Sequence, residues 1–172
     1  NSVDGIYGSN DALKITNNNI SSNGRNGITI SNGNGSGCSG SGSFVVQQNT
    51  ISSNTGNGIE AFNHSGICFD HITANVNGYG FYILGSQSDI FTSNTAIQNI
   101  NTGFHFGNGA APVTFTDNTA SGNGLGDFEG ITQESDAPSG TVTISSPISL
   151  LACDPGNVTS DSSGNLMCGS VT

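Results

Sequence analysis

The chain has 172 residues, enough for one domain, and its apolar fraction of 33% is low for a broad conventional core. Only 2 Lys and Arg residues stand against 12 acids, giving a formal net charge of −10. That balance excludes nucleic acid and anionic membrane surfaces as partners, and it weighs against a polyanionic glycan unless calcium bridges acid to acid.

The predicted elements follow one repeating frame. Glycine-led segments recur as "GIYGS" from Gly5, "GITIS" from Gly27, "GIEAF" from Gly58, "GFYIL" from Gly80 and "GFHFG" from Gly103, spaced by 22, 31, 22 and 23 residues. After each comes a second frame: "KITNNNISSN", "FVVQQNTISSN", "FDHITANVN", "FTSNTAIQN" and "FTDNTASGN". Its apolar positions align as Ile15, Val46, Phe69, Phe91 and Phe115, then as Ile20, Ile51, Ala74, Ala96 and Ala120. A unit of this length, with short period-2 strands and Asn/Gly turns, predicts one coil of a parallel β-helix. One coil cannot bury its apolar side chains alone, whereas stacked coils share a continuous core. Asn18, Asn49, Asn94 and Asn118 form a further column, interrupted by Ile72, which predicts an asparagine ladder through a tight turn in left-handed backbone geometry.

Two departures interrupt the frame. The Gly/Ser-rich stretch 32–43 is an insertion in the second coil, and the matching offsets of Cys38 and Cys68 from their glycines predict a disulfide between adjacent coils. After Ile131 the repeat stops, so residues 132–172 are expected to cap the last coil, with "TVTISS" and "ISLL" as strands and a Cys153–Cys168 staple. Four cysteines without CxxC spacing favour disulfides over zinc, hence an extracellular, cell-surface or periplasmic setting. The acidic loop with Asp154 and Asp161 lacks the EF-hand spacing, so the only cofactor weighed is a weakly supported calcium, and no metal site is assigned. Sequons occur at Asn19, Asn63 and Asn157, unremarkable in so Asn-rich a chain. No stretch is long and apolar enough to insert in a membrane, and the chain, which opens at Asn1 without a signal peptide, reads as a mature or excised fragment.

At these residues the chain resembles the right-handed, pectate-lyase-like parallel β-helix family. The resemblance implies an all-β, single-stranded solenoid of about six coils over residues 1–131. The family includes polysaccharide lyases, mannuronan C5-epimerases, glycosidases, phage tailspikes and surface adhesins.

Strand alternation turns Ile28, Ile30, Ile59, Ala61, Phe81, Ile83, Phe104 and Phe106 inward, and therefore Tyr7, Thr29, Glu60, Tyr82 and His105 outward. "DFE" continues the frame with Phe128 inward and Glu129 outward. Glu60, Tyr82, His105 and Glu129 offer an acid/base set as catalytic candidates, while Tyr7, Glu60, Phe62, Tyr82 and His105, with Leu84 beside them, offer a saccharide-binding strip. The resemblance implies a lyase or epimerase site of Tyr or His with acids and nearby cations, but no Arg or Lys stands in this column. Asp70, His71 and Asp117 suggest a second polar patch, and His64 reads as surface. Ice binding would want a flat outward Thr array, and this column is too mixed for one. Two functions are therefore carried forward. One is an extracellular structural or surface-binding module able to assemble end to end through its uncapped first coil; the alternative is a carbohydrate-active enzyme.

Overall fold

The computed structural model describes residues 2–9, 13–110 and 114–130, together with the backbone of two short strands nearer the C-terminus. Fifteen strands wind as five turns of three. The first turn is β1 (Ile6–Ser9), β2 (Lys14–Thr16) and β3 (Asn19–Ser21), and the second is β4 (Ile28–Ser31), β5 (Phe44–Gln47) and β6 (Thr50–Ser52). The third is β7 (Ile59–Phe62), β8 (Ile67–Asp70) and β9 (Thr73–Asn75), and the fourth is β10 (Phe81–Leu84), β11 (Ile90–Thr92) and β12 (Thr95–Ile97). The fifth is β13 (Thr102–Gly107), β14 (Thr114–Thr116) and β15 (Thr119–Ser121). β16 (Gly126–Glu129) then opens a sixth, so the described solenoid has about five turns where six coils are expected. Three parallel sheets result, one led by β1, β4, β7, β10, β13 and β16, and the others built from the second and third strands of each turn. Separately, β17 (Val158–Ser160) and β18 (Leu166–Cys168) pair antiparallel. The expected strands "TVTISS" and "ISLL" and the Cys153–Cys168 staple lie outside the described residues.

The register follows the frames read from sequence. Phe81 pairs with Ile59 and Phe104, Phe69 with Val46 and Phe91, and Ala96 with Ala74 and Ala120. Column widths compensate across the core. Where the third-strand column narrows from Ile51 to Ala74, Ala96 and Ala120, the other columns widen to Phe69, Phe91, Phe104 and Phe115. Phe81 and Phe104 stack with ring centroids 4.5 Å apart, and Phe69 and Phe91 at 4.6 Å. A low apolar fraction suffices because only the inward-facing positions of each short strand, one or two per strand, must be hydrophobic.

Each corner turns on a single residue in left-handed conformation. After the second strand these are Asn17, Gln48, His71, Ser93 and Asp117, and after the third Ser22, Ser53, Val76, Gln98 and Gly122. The ladder asparagines come immediately afterwards, which corrects the expectation that they themselves adopt left-handed geometry. Corner residues keep inter-coil hydrogen bonds, as in His71 N–H to Thr92 O at 3.0 Å, so the turn leaves no backbone donor stranded. Val76, with φ 55° and 46% exposure, is the β-branched exception. Its left-handed backbone costs about 1–2 kcal/mol for an L-residue, a penalty Asn largely escapes. Val76→Asn is accordingly expected to stabilise the chain by about 1 kcal/mol, read as a higher urea midpoint at unchanged slope.

The asparagine ladder is present, and a second runs beside it. In the first, Asn18 and Asn94 each donate from backbone and side chain to the Oδ1 of the next asparagine, Asn49 and Asn118, at 2.9–3.1 Å. Ile72, which lacks an amide, still donates its N–H to Asn94. The second ladder is unbroken through Asn23, Asn54, Asn77, Asn99 and Asn123. At its end Asn123 donates to the buried Asp127 carboxylate at 2.8 Å. Asp127 stands where earlier coils carry the frame glycine, so it supplies the acceptor that another ladder asparagine would have supplied.

The insertion 32–43 joins β4 to β5 and is tied by the Cys38–Cys68 disulfide, with Cα atoms 4.9 Å apart. Among the described residues no helix is long and apolar enough to cross a membrane.

Candidate functional site

The outward column forms as the alternation predicts. Tyr7 pairs with Thr29, Thr29 with Glu60, Glu60 with Tyr82, Tyr82 with His105, and His105 with Glu129. Tyr82 and His105 lie nearly parallel, 12° between planes and 4.8 Å between centroids. Thr29 is the exception to the exposure expected of this column: it is buried, covered by the Asn26 amide that donates to its hydroxyl at 3.0 Å.

A second column, the residue just before each frame glycine, completes the site and is missed by strand alternation. It holds Asp4, Asn26, Asn57, Tyr79 and Thr102, and most of its members reach the outward column. Asn26 and Asn57 both donate side-chain amides to Glu60 Oε2. Tyr79 packs on Tyr82 at 4.7 Å and on His105 at 5.4 Å, making a three-ring cluster. Thr102 donates its hydroxyl to Glu129 Oε2 at 3.1 Å. Tyr79 is placed by a backbone bond from its N–H to Asn57 Oδ1 at 3.2 Å. The signal was available at constant offset from every glycine.

His105 Nδ1 lies 2.8 Å from Glu129 Oε2. With the carboxylate as acceptor, Nδ1 carries the proton in the neutral ring, which leaves the Nε2 lone pair free. The hydrogen bond from His105 holds the Glu129 carboxyl below the ordinary carboxylate range, against a weaker opposing pull from desolvation, with the imidazole charge and the Thr102 hydroxyl adding to the lowering. Gly107 makes room for the ring: a Cβ there would sit 2.9 Å from both His105 Nε2 and a Leu84 methyl. An open groove of about 480 Å³ is lined by Glu60, Phe62, Asn63, Leu84, Gly85 and Asn108, so that Glu60 joins the outward column to it. Tyr7 lies at the far end of the column, 61% exposed and bonded to Ser31 at 2.6 Å, away from the cluster.

The remaining sequence candidates do not converge. His71 bonds to Asp70 at 2.6 Å, but Asp117 occupies the same corner two coils away with Ser93 between them. His64, expected at the surface, is buried: its Nε2 meets Asp89 at 2.8 Å, Asp89 also accepts from Ser86, and the ring lies edge-on to Phe69. A Thr array does exist, though on the third sheet, where Thr50, Thr73, Thr95 and Thr119 stack in register. Among the described residues, no group of three or more His, Cys, Asp or Glu is placed to hold a metal ion.

A solenoid of parallel coils with stacked apolar columns and asparagine ladders defines the class, and the comparison with protein families agrees. The family model for the right-handed β-helix region matches residues 1–146, and the chain belongs to that family. No curated protein and no solved structure matches it.

Proposed function

We propose that this chain is an extracellular surface-binding β-helix module that takes a saccharide across Tyr79, Tyr82 and His105. The observation that carries the reading is the three-ring cluster standing partly exposed on a rigid sheet beside an open groove. Aromatic faces present apolar area to the C–H face of a sugar, and the adjacent amides and carboxylates serve its hydroxyls. The inter-coil disulfide supports an oxidising, extracellular setting.

Removing the central ring tests the reading. Tyr82→Ala is expected to weaken binding of a saccharide identified on a glycan array by at least about tenfold while lowering the unfolding free energy by only about 1–2 kcal/mol, the loss of its two ring contacts. Unchanged affinity would remove the cluster from the binding surface.

A second reading, a carbohydrate-active enzyme, is favoured by the Glu129–His105 pair, which sets Nε2 as a proton acceptor beside the Tyr82 phenol. Glu60 and Glu129 are three rungs apart, roughly 14 Å between Cα atoms, beyond the carboxylate spacing that glycosidases use. An enzyme here would therefore run through His105 and Tyr82, and turnover that survives both His105→Ala and Tyr82→Phe would end that reading.

A further inference from the structure

The geometry points to a ligand class for this face: we infer that it selects saccharides bearing free amines, such as deacetylated hexosamine chains, over neutral or uronate chains. The inference rests on the saccharide-binding reading above and adds the charge of the ligand. Two carboxylates bracket the rings, Glu60 one rung before Tyr82 and Glu129 one rung after His105. Neither is neutralised by a Lys or Arg. Of the chain's two such residues, Lys14 lies on β2 in another sheet and Arg25 lies 3.7 Å from Asp4.

Each carboxylate is held for use. Glu60 Oε2 is fixed by the Asn26 and Asn57 amides, and the residue lines the groove. Glu129 is fixed by His105 and Thr102, and those same bonds keep it ionised to lower pH than an isolated carboxylate. Between them stand the phenol rings of Tyr79 and Tyr82, tilted 46° to each other, whose π-systems attract an ammonium and not a carboxylate. A uronate chain would meet two carboxylates and neither a Lys nor an Arg. A neutral chain would gain ring contacts and hydroxyl hydrogen bonds, whereas an aminated chain adds cation–π attraction and charge-assisted hydrogen bonds to the carboxylates.

Calorimetric titration with three tetrasaccharides tests this: a fully deacetylated glucosamine chain, its N-acetylated counterpart and a galacturonate chain. The deacetylated chain is expected to bind about tenfold more tightly than the acetylated one at low salt, with the galacturonate chain not binding. The preference should shrink as salt screens the exposed charges. Combining Glu60→Gln with Glu129→Gln should remove most of the preference, weakening the deacetylated chain far more than the acetylated one. Equal affinities for the acetylated and deacetylated chains, both weakened by Tyr82→Ala, would overturn the amine preference and leave the saccharide face standing. Tighter binding of galacturonate would overturn the preference as well. Binding of none of the three would overturn the preference and the face together.

Discussion

Asn77→Ala is expected to lower the unfolding free energy by about 3–5 kcal/mol. Asn77 is fully buried at the middle of the unbroken ladder. Its Oδ1 accepts from Asn54 N–H at 3.1 Å and Asn54 Nδ2 at 2.9 Å, and its Nδ2 donates to Ile51 O at 3.1 Å and Asn99 Oδ1 at 3.3 Å. Alanine takes the acceptor from Asn54 N–H and the side-chain donor from Ile51 O, at about 1–3 kcal/mol for each buried group left unsatisfied, while Asn99 Oδ1 keeps the bond from the residue 77 N–H. Asn18 makes the same kind of contact at the exposed end of the other ladder, where water replaces a lost bond. Asn18→Ala should therefore cost under about 1 kcal/mol. Equilibrium urea unfolding of the two variants measures the contrast, and equal losses would mean that ladder position does not matter.

Gly80→Ala is expected to cost about 3 kcal/mol through crowding. An added Cβ would lie 2.5 Å from the Gly103 carbonyl oxygen, 2.9 Å from Ala96 Cβ and 3.0 Å from Asn99 Nδ2. The first of these is backbone and the third is tied into the ladder, so neither yields without shifting a coil. The same approach recurs at Gly27, Gly58 and Gly103, each with a backbone oxygen of the next coil within 2.7 Å of the added carbon. This is why every first strand opens on glycine: the coils come too close there for any side chain. At the last described rung Asp127 takes that position and accepts from Asn123 through its carboxylate. A shift of the thermal midpoint checks the loss, and a midpoint within experimental scatter of the parent would refute the close-approach explanation.

Most of the fold was legible because its determinants are periodic. Ile15, Val46, Phe69, Phe91 and Phe115 share one offset from their glycines, and a solenoid converts equal offset directly into spatial contact. The Cys38–Cys68 bond follows from the same arithmetic. The second ladder was as periodic as the first, yet Asn23, Asn54, Asn77, Asn99 and Asn123 served only to mark where each frame ended. His64 was misplaced for a different reason. Alternation stops at the corner after Phe62, and burial there depends on Asp89 and Ser86, which arrive one coil later with no shared motif. Within the candidate site, Glu60, Tyr82, His105 and Glu129 came from alternation alone. Tyr79 did not, since it precedes the strand and reaches the rings from a neighbouring column.

The central claim is that the first sheet's outward face is the binding surface. Chemical-shift mapping by NMR, with the deacetylated glucosamine tetrasaccharide titrated into the uniformly labelled chain, tests it most directly. The expected perturbations centre on Glu60, Tyr79, Tyr82, His105 and Glu129 and fade toward Tyr7. Perturbations centred instead on Thr50, Thr73, Thr95 and Thr119, or on the edge strands β1, β2 and β3, would contradict the account.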